Sequence, residues 1–321
     1  MPRPLCSLSL DLDNLWSYLK THGEPGWQEY PSYLDIVVPR VLKFLAARDL
    51  KITWFIVGKD ADDARHHQVL RSITAAGHEV GNHSFHHEPW LHLYTEAEID
   101  AELASTEDAI GRATGARPDV FRGPGFSHSP TLLNVLARRG YRLDASTFPT
   151  FLGPLARAYY LWTAKGLSTD EREKRKKLFG TFADGFGPLT PFHWKTPSGP
   201  LLEIPVTTMP VFKVPIHVSY LLYLGCYSRL LAKAYWRFAL TMCRVTGTQL
   251  SLLLHPLDFM GSDDTDRLGF FPAMKRPHGE KLKLVGELFD MLTGAFDCVP
   301  MGAHADALAA RGRRPVPAPV G

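Results

Sequence analysis

Gly81-Asn82-His83-Ser84-Phe85-His86-His87 is the stretch on which the reading of this sequence turns. It follows the strand-like run His78-Glu79-Val80 and leads into Glu88-Pro89-Trp90. His83 and His87 stand four positions apart. On one helical turn such a pair shares a face, with Cβ atoms about 5–6 Å apart. Two imidazoles so placed can reach one zinc ion at about 2.0–2.1 Å. A catalytic zinc takes three protein ligands and keeps one position open for water. The pair therefore asks for a third ligand, a carboxylate, from elsewhere in the chain. The competing reading is a His-rich polar surface turn.

The N-terminal run Ser7-Leu8-Ser9-Leu10-Asp11-Leu12-Asp13 alternates apolar and polar residues, as a half-buried strand does. Residues i and i+2 of a strand point to one face, so Asp11 and Asp13 can enter the same cleft at its end. An acidic strand-end turn or a helix cap is the alternative. Periodicity predicts helices over 34–49, 61–76, 95–112 and 129–139, the third capped by Thr95 with Glu98 as its capping-box partner. Between them lie predicted strands at 52–58, 78–83, 119–122 and 141–146. Such alternation argues for parallel strands with helices outside and chemistry at the carboxyl ends of the strands. It breaks after Pro149. The stretch 151–200, with a charge run at 170–177 read as a solvated helix face, is expected as an insertion on the barrel mouth. A strand at 201–206, an apolar and aromatic segment at 218–245, a strand at 249–255 and a helix at 279–292 follow. The segment 218–245 reads as a buried outer helix, or else as an apolar surface facing a lipid or a partner. Residues 1–310 are expected as one domain, and the Arg-, Pro- and Ala-rich tail 311–321 as unstructured.

Composition narrows the function classes. Of 321 residues, 45% are hydrophobic and 21% charged, which fits a folded globular chain. A net charge of +3 gives no ground for nucleic acid as a partner. Cys6, Cys226, Cys243 and Cys298 form no CxxC pair and read as reduced thiols. No window offers 18 uncharged apolar residues, so no transmembrane segment is expected. The run into the first strand leaves no room for a secretory leader, and a cytoplasmic location is expected.

Three further pieces sit at predicted strand ends: Arg122-Gly123-Pro124-Gly125-Phe126-Ser127, Asp144-Ala145-Ser146-Thr147-Phe148-Pro149 and Leu254-His255-Pro256. Arg122 can hold a carboxylate in a fixed orientation. Gly123 and Gly125 let the backbone approach a ligand. His255 is a proton-donor candidate. In this order, the acid pair, His83-Ser84-Phe85-His86-His87 and these three pieces resemble the five motifs of the NodB-like polysaccharide deacetylases, carbohydrate esterase family 4. The resemblance spans about residues 7–256, with 151–200 outside it. The acids are spaced DxD where the family usually has them adjacent, which is similar to an intracellular branch resembling peptidoglycan-deacetylase-like proteins.

The resemblance implies an α/β fold, a distorted, incomplete TIM-like (β/α) barrel. It implies a divalent metal, Zn2+ first with Co2+, Ni2+ or Mn2+ as alternatives, held by Asp13, His83 and His87. Asp11 would be the base, oriented by Arg122, although the two acids could exchange roles. The amide of Gly125 would meet the oxyanion, and His255, hydrogen-bonded to Asp144, would be the acid. Phe126 and Trp90 could wall the substrate pocket, and His86 would lie off the ligand face. The implied reaction removes an N-acyl group, N-acetyl first, from an amino sugar or glycan. The alternatives are a deformylase or other amide hydrolase acting on a lipid-linked substrate at the inner membrane surface or on a small molecule, and a catalytically silent metal- or carbohydrate-binding module. A homo-oligomer is left open.

Overall fold

In the computed structural model, which describes residues 3–155, 182–310 and 316–317, the first strand β1 (Leu5–Leu12) is buried along almost all its length. Its alternation sorts the two layers. Leu8, Leu10 and Leu12 face the helices, in one cluster with Val37, Val38 and Val41, while Ser9 and Asp11 face inward. β1 pairs in parallel with β2 (Thr53–Ile56) on one side and β8 (Leu250–Leu254) on the other, and its first residues also meet β9 (Asp297–Val299). The parallel sheet continues from β2 through β3 (Glu79–Asn82), β4 (Val120–Phe121) and β5 (Leu143–Asp144) to β7 (Gly199–Glu203). Among the described strands β6 (Phe192–Thr196) is the one that runs antiparallel, in a hairpin with β7.

After β7 the chain crosses the gap between β5 and β8 without a full ladder. The N–H groups of Ile204 and Val206 donate to the carbonyls of Asp144 and Thr147, and that of Thr207 to the carbonyl of Ser251. The ring is thereby drawn together by a few bonds, and the fold is the distorted, incomplete (β/α) barrel expected. Around it lie α1 (Leu15–His22), α2 (Leu34–Ala46), α3 (Gly58–Asp62), α4 (His67–Ala75), α5 (Glu96–Thr114), α6 (Pro130–Arg138), α7 (Val218–Tyr227), α8 (Arg229–Thr246), α9 (His278–Ala295) and α10 (Met301–Ala310). Thr95 and Glu98 form the predicted capping box of α5. Among the described residues, no helix is long and apolar enough to cross a membrane.

Some elements differ from the sequence reading. The helix expected at 61–76 is two, parted by a tight turn at Ala64–His66. The segment 218–245 is also two helices, broken where the Ser228 side chain caps α8 by accepting from the Leu231 amide. Within 151–200, β6 was not anticipated, nor were α1 and α10 elsewhere. The charge run at 170–177 lies outside the described residues. So does the tail, apart from Val316–Pro317, which pairs with β6.

Gly81 of β3 is where the sheet tolerates no side chain. A Cβ there would stand 2.6 Å from the Phe55 ring and 2.9 Å from a Val120 methyl. Gly81→Ala should lower stability by about 1–3 kcal/mol through overpacking. A denaturant midpoint measured beside that of Gly77→Ala, whose added Cβ meets only the end of Lys51 at 3.7 Å but whose φ is +78°, separates crowding from backbone strain.

Candidate active site

His83 leaves the end of β3 with its N–H bonded to the carbonyl of Ile56. Beyond it the chain does not form the helical turn that the His83/His87 spacing suggests. Ser84 and His87 both adopt left-handed φ, 59° and 52°. Asn82 Oδ1 accepts from the Ser84 amide, and Glu102 of α5 accepts from the amides of Phe85 and His86. Glu102 also binds His86 Nδ1 at 2.5 Å, which turns that half-exposed imidazole away from its neighbours, as expected. The tight turn achieves what a helix would have done. His83 and His87 present their Nε2 atoms to the same carboxylate oxygen, Asp13 Oδ1, at 3.4 and 2.8 Å. All three residues are buried.

This donor set fits a divalent cation. Two nitrogens and a carboxylate oxygen are the ligand types of zinc sites. Their donor atoms lie within 4.8 Å of one another. His83 Nδ1–H donates to the carbonyl of Arg122 at 2.7 Å, which leaves Nε2 bare and aimed at the cluster. Burial acts against the charge of Asp13, but His87 and His83 more than offset it and hold the carboxyl well below its ordinary value. Asn14 fixes the turn that follows Asp13. Its Oδ1 caps α1 and accepts from the Tyr33 amide, and its amide group donates to Asp60 Oδ1. Asp60, which also accepts from the Trp16 indole, was missed in the sequence. Only its place in the aperiodic Gly58-Lys59-Asp60 turn could have marked it.

Arg122 ties the second acid to this cluster. Its Nη1 donates to Asp11 Oδ1 at 2.7 Å and to Ser9 Oγ at 2.8 Å, and its Nε donates to the Ala145 carbonyl. The other Asp11 oxygen, Oδ2, is left 4.0 Å from His83 Nε2, on the side of the ligand set. Sequence reasoning brought Asp11, Asp13, His83, His87 and Arg122 together, and so does the structure.

Gly123-Pro124-Gly125-Phe126 forms a tight turn beyond β4. A Cβ on Gly123 would come 2.0 Å from the Ser127 carbonyl oxygen, and Gly125 and Phe126 both have left-handed φ, near 60°. Phe126 stacks on Phe148 at 4.7 Å; Phe148 lies 5.6 Å from His217, and His217 lies 5.9 Å from His255. One aromatic wall thus runs from this turn to His255. Trp90 is half-buried against the Tyr94 hydroxyl, and a Cβ on Gly125 would meet its neighbour Pro89 at 3.2 Å.

One expectation is corrected. Asp144 does not hold His255. Its Oδ1 accepts from Ser146 Oγ, which in turn accepts from the Gly123 amide at 2.8 Å, so Asp144 positions the turn after β4. Its register partner on β7 is Glu203, a second buried acid missed in the sequence. Burial, and then Asp144, push the Glu203 carboxyl well above its ordinary value. Glu203 also accepts from Thr147 and from the Trp194 indole. His255 takes its support from its own strand end. The Ser219 hydroxyl donates to Asp258 Oδ1 at 2.7 Å and faces His255 Nδ1 at 3.2 Å, while the His255 amide donates to Asp258 Oδ2. His255 Nδ1 is thus engaged on the side of Ser219. β8 runs parallel to β1 with Leu254 opposite Leu10, so His255 leaves the barrel at the same end as the acid pair.

The polysaccharide deacetylase family model matches residues 30–143, which include the histidine and arginine motifs. The chain carries a polysaccharide deacetylase domain. It is 26% identical over 186 residues to the peptidoglycan deacetylase of Helicobacter pylori, a match covering 54% of this chain and 60% of that protein. It is 32% identical over 111 residues to the peptidoglycan-N-acetylmuramic acid deacetylase PdaA of Bacillus subtilis, covering 34% of this chain and 41% of the relative. The chain thus spans about half the length of these relatives. A protein of Mycobacterium smegmatis crystallised as a candidate polysaccharide deacetylase superposes with a TM-score of 0.64 over 99% of this chain and 94% of its own, at 19% identity, so the deacetylase domain keeps that fold.

Asp60 offers a pH test of the site's support. Burial raises its carboxyl to about 6, against an ordinary value of about 4, despite the opposing bonds from Asn14 and Trp16. Between these values the folded chain binds more protons than the unfolded one, so stability falls as pH rises through that window and is level above it. Asp60→Asn should remove this fall, gaining on the order of 1–3 kcal/mol on wild type between pH 4 and pH 7. Parallel urea melts across that range check it, and matching slopes in both proteins would refute it.

Proposed function

We propose that this domain is a metal-dependent hydrolase that removes an N-acetyl group from an amino sugar of a glycan. The observation that carries the reading is the convergence of Asp13, His83 and His87 on one point, with Asp11 Oδ2 beside it on an arginine tether. The peptidoglycan deacetylases among the relatives put an N-acetylated sugar of that polymer first among substrates. A single catalytic domain over 1–310 and a cytoplasmic location belong to the same reading.

A divalent ion held by Asp13, His83 and His87, Zn2+ first among the candidates, would supply Lewis acidity to the acyl oxygen and to a water molecule. Asp11 takes the proton of that water at Oδ2, because Oδ1 is engaged by Arg122. Arg122 keeps the carboxylate aimed and cannot itself take a proton at any working pH. Water oxygen bonds to the acyl carbon, and the amide C–N bond breaks. His255 Nε2 gives its proton to the departing nitrogen, since an amide anion is too basic to leave unaided. Ser219 and Asp258 hold the imidazolium in place, the hydroxyl passing the field of the carboxylate to Nδ1. The turn at Gly123–Phe126, with the aromatic wall from Phe126 towards His217, would flank the acyl group, and the amide of Gly125 would meet the oxyanion. The products are acetate and the free amine.

His83→Ala combined with His87→Ala should strip the metal, read by elemental analysis of purified protein. Asp11→Asn should keep the metal and lose two or more orders of magnitude in turnover, whereas Asp13→Asn should lose metal first. The opposite pattern exchanges the roles of the two acids. His255→Ala should abolish hydrolysis of N-acetyl amides and spare activated aryl esters, whose leaving groups need no proton. Equal loss on both substrates removes His255 from the role of acid.

A further inference from the structure

Helix α8 is apolar on two faces. Ala232, Trp236, Ala239, Leu240 and Cys243 are buried against the barrel. On the other side Leu231, Ala234, Phe238, Thr241 and Val245 recur at i, i+3, i+7, i+10 and i+14, and all are exposed. Leu231 is 53% exposed, Phe238 48% and Val245 78%, with Leu230 beside them at 78%. A surface helix of a soluble domain ordinarily turns charged and polar residues to water. The strip continues on α7, where Tyr220, Tyr223 and Tyr227 are exposed at i, i+3 and i+7, and in the preceding loop, where the ring of Phe212 lies 6.3 Å from Phe238. Tyr220 packs edge-on to His217 at 4.5 Å, and His217 packs edge-on to His255, so the strip begins two side chains from the site.

The charges beside the strip say what covers it. Arg229 and Lys233 are both paired with Glu287 of α9. Arg237 and Arg244, two turns apart next to the row, meet no carboxylate among the described residues. A second copy related by a twofold axis would set these arginines against their equals. The chain's own segment 156–181 is also cationic in sequence, with Lys174-Arg175-Lys176-Lys177. An anionic lipid surface matches every part of the pattern. Exposed leucine, phenylalanine and valine enter the acyl boundary, the phenols sit at headgroup depth, and the free guanidinium groups meet phosphate.

We propose that the outer face of α7 and α8 docks the domain peripherally on an anionic bilayer surface, with the site's mouth at the plane of the headgroups. This goes beyond the hydrolytic reading and stands or fails separately from it, because vesicle binding needs neither metal nor turnover.

The test is co-sedimentation of the full chain with vesicles of phosphatidylcholine alone and with vesicles containing three-tenths phosphatidylglycerol. The chain should sediment with the second and hardly with the first, and release as salt is raised. Arg237→Gln and Arg244→Gln should each weaken binding roughly fivefold, and both together roughly thirtyfold. Leu231→Ser with Phe238→Ser should abolish binding while metal content, thermal melt and turnover on a soluble amino sugar stay at wild-type values. Absence of sedimentation with the anionic vesicles at low salt overturns the proposal. So does light scattering that shows a dimer lost in the Leu231→Ser, Phe238→Ser protein, or vesicle binding that is gained only when 156–181 is deleted.

Discussion

Arg122 is a guanidinium with no exposure to water, and the site is built around satisfying it. An unpaired charge in that position would be costly by several kcal/mol. One carboxylate, Asp11, meets it, and Ser9, the Ala145 carbonyl and Met301 Sδ take further bonds, while the plane lies 4.4 Å from the centre of the Phe55 ring. Its backbone carbonyl does a second job by accepting from His83 Nδ1 and so turning Nε2 of that ring towards Asp13. Side chain and carbonyl of one residue thereby fix Asp11 and His83 relative to each other. The cation's need for a partner and the imidazole's need for an orientation are met by one residue just past β4, and neither can shift alone.

The carboxylates near the site are sorted by what surrounds them. Asp13 has imidazoles on its oxygen, and they hold it ionised against its burial. Asp60 has two neutral donors, Asn14 and Trp16, with the His66 imidazole farther off at 4.0 Å, and burial prevails. Asp144 and Glu203 have each other, so ionising both would set two charges side by side in the interior. Formal charge in the sequence is therefore a poor guide to charge in the fold. Among these acids, a proton is excluded most firmly from the one that sits between the two histidines, where a cation would otherwise have to compete with it.

Much of this was legible before any coordinates. The alternation of β1 carried both the strand and the inward face of Asp11, because a period of two leaves no freedom about which residues share a side. The strand–helix alternation through 146 carried the parallel sheet. The site residues gathered at strand ends, and His83, His87, Asp13, Asp11 and Arg122 met as expected. What was not legible depended on local geometry that periodicity does not encode. The turn after His83 was read as helical because four-residue spacing has a helical explanation, yet Asn82 and Glu102 stabilise two left-handed residues there instead. Glu203 could not be assigned because its neighbour across the sheet is fixed only by the register of β5 with β7. β6 does alternate, Phe192-His193-Trp194-Lys195-Thr196, but five residues inside an aperiodic stretch carry too little signal to stand out.

The way the barrel closes explains why His255 is supported as it is. A regular barrel would bring the strand bearing Asp144 and the strand bearing His255 to the same rim through one intervening strand. Here β7 pairs with β5 in a register that sets Glu203 against Asp144, and the chain then crosses to β8 through Ile204, Val206 and Thr207 with isolated bonds. Asp144 is occupied on that side by Glu203 and on its other oxygen by Ser146. A histidine at the end of β8 must then find its carboxylate nearby in sequence. Asp258 answers this three residues later, at the turn that Pro256 opens, where its two oxygens reach the His255 amide and, through Ser219 of α7, the imidazole. The helix that carries Ser219 also carries the tyrosines of the exposed strip, so the orientation of His255 and the position of that part of the surface are set by the packing of a single element.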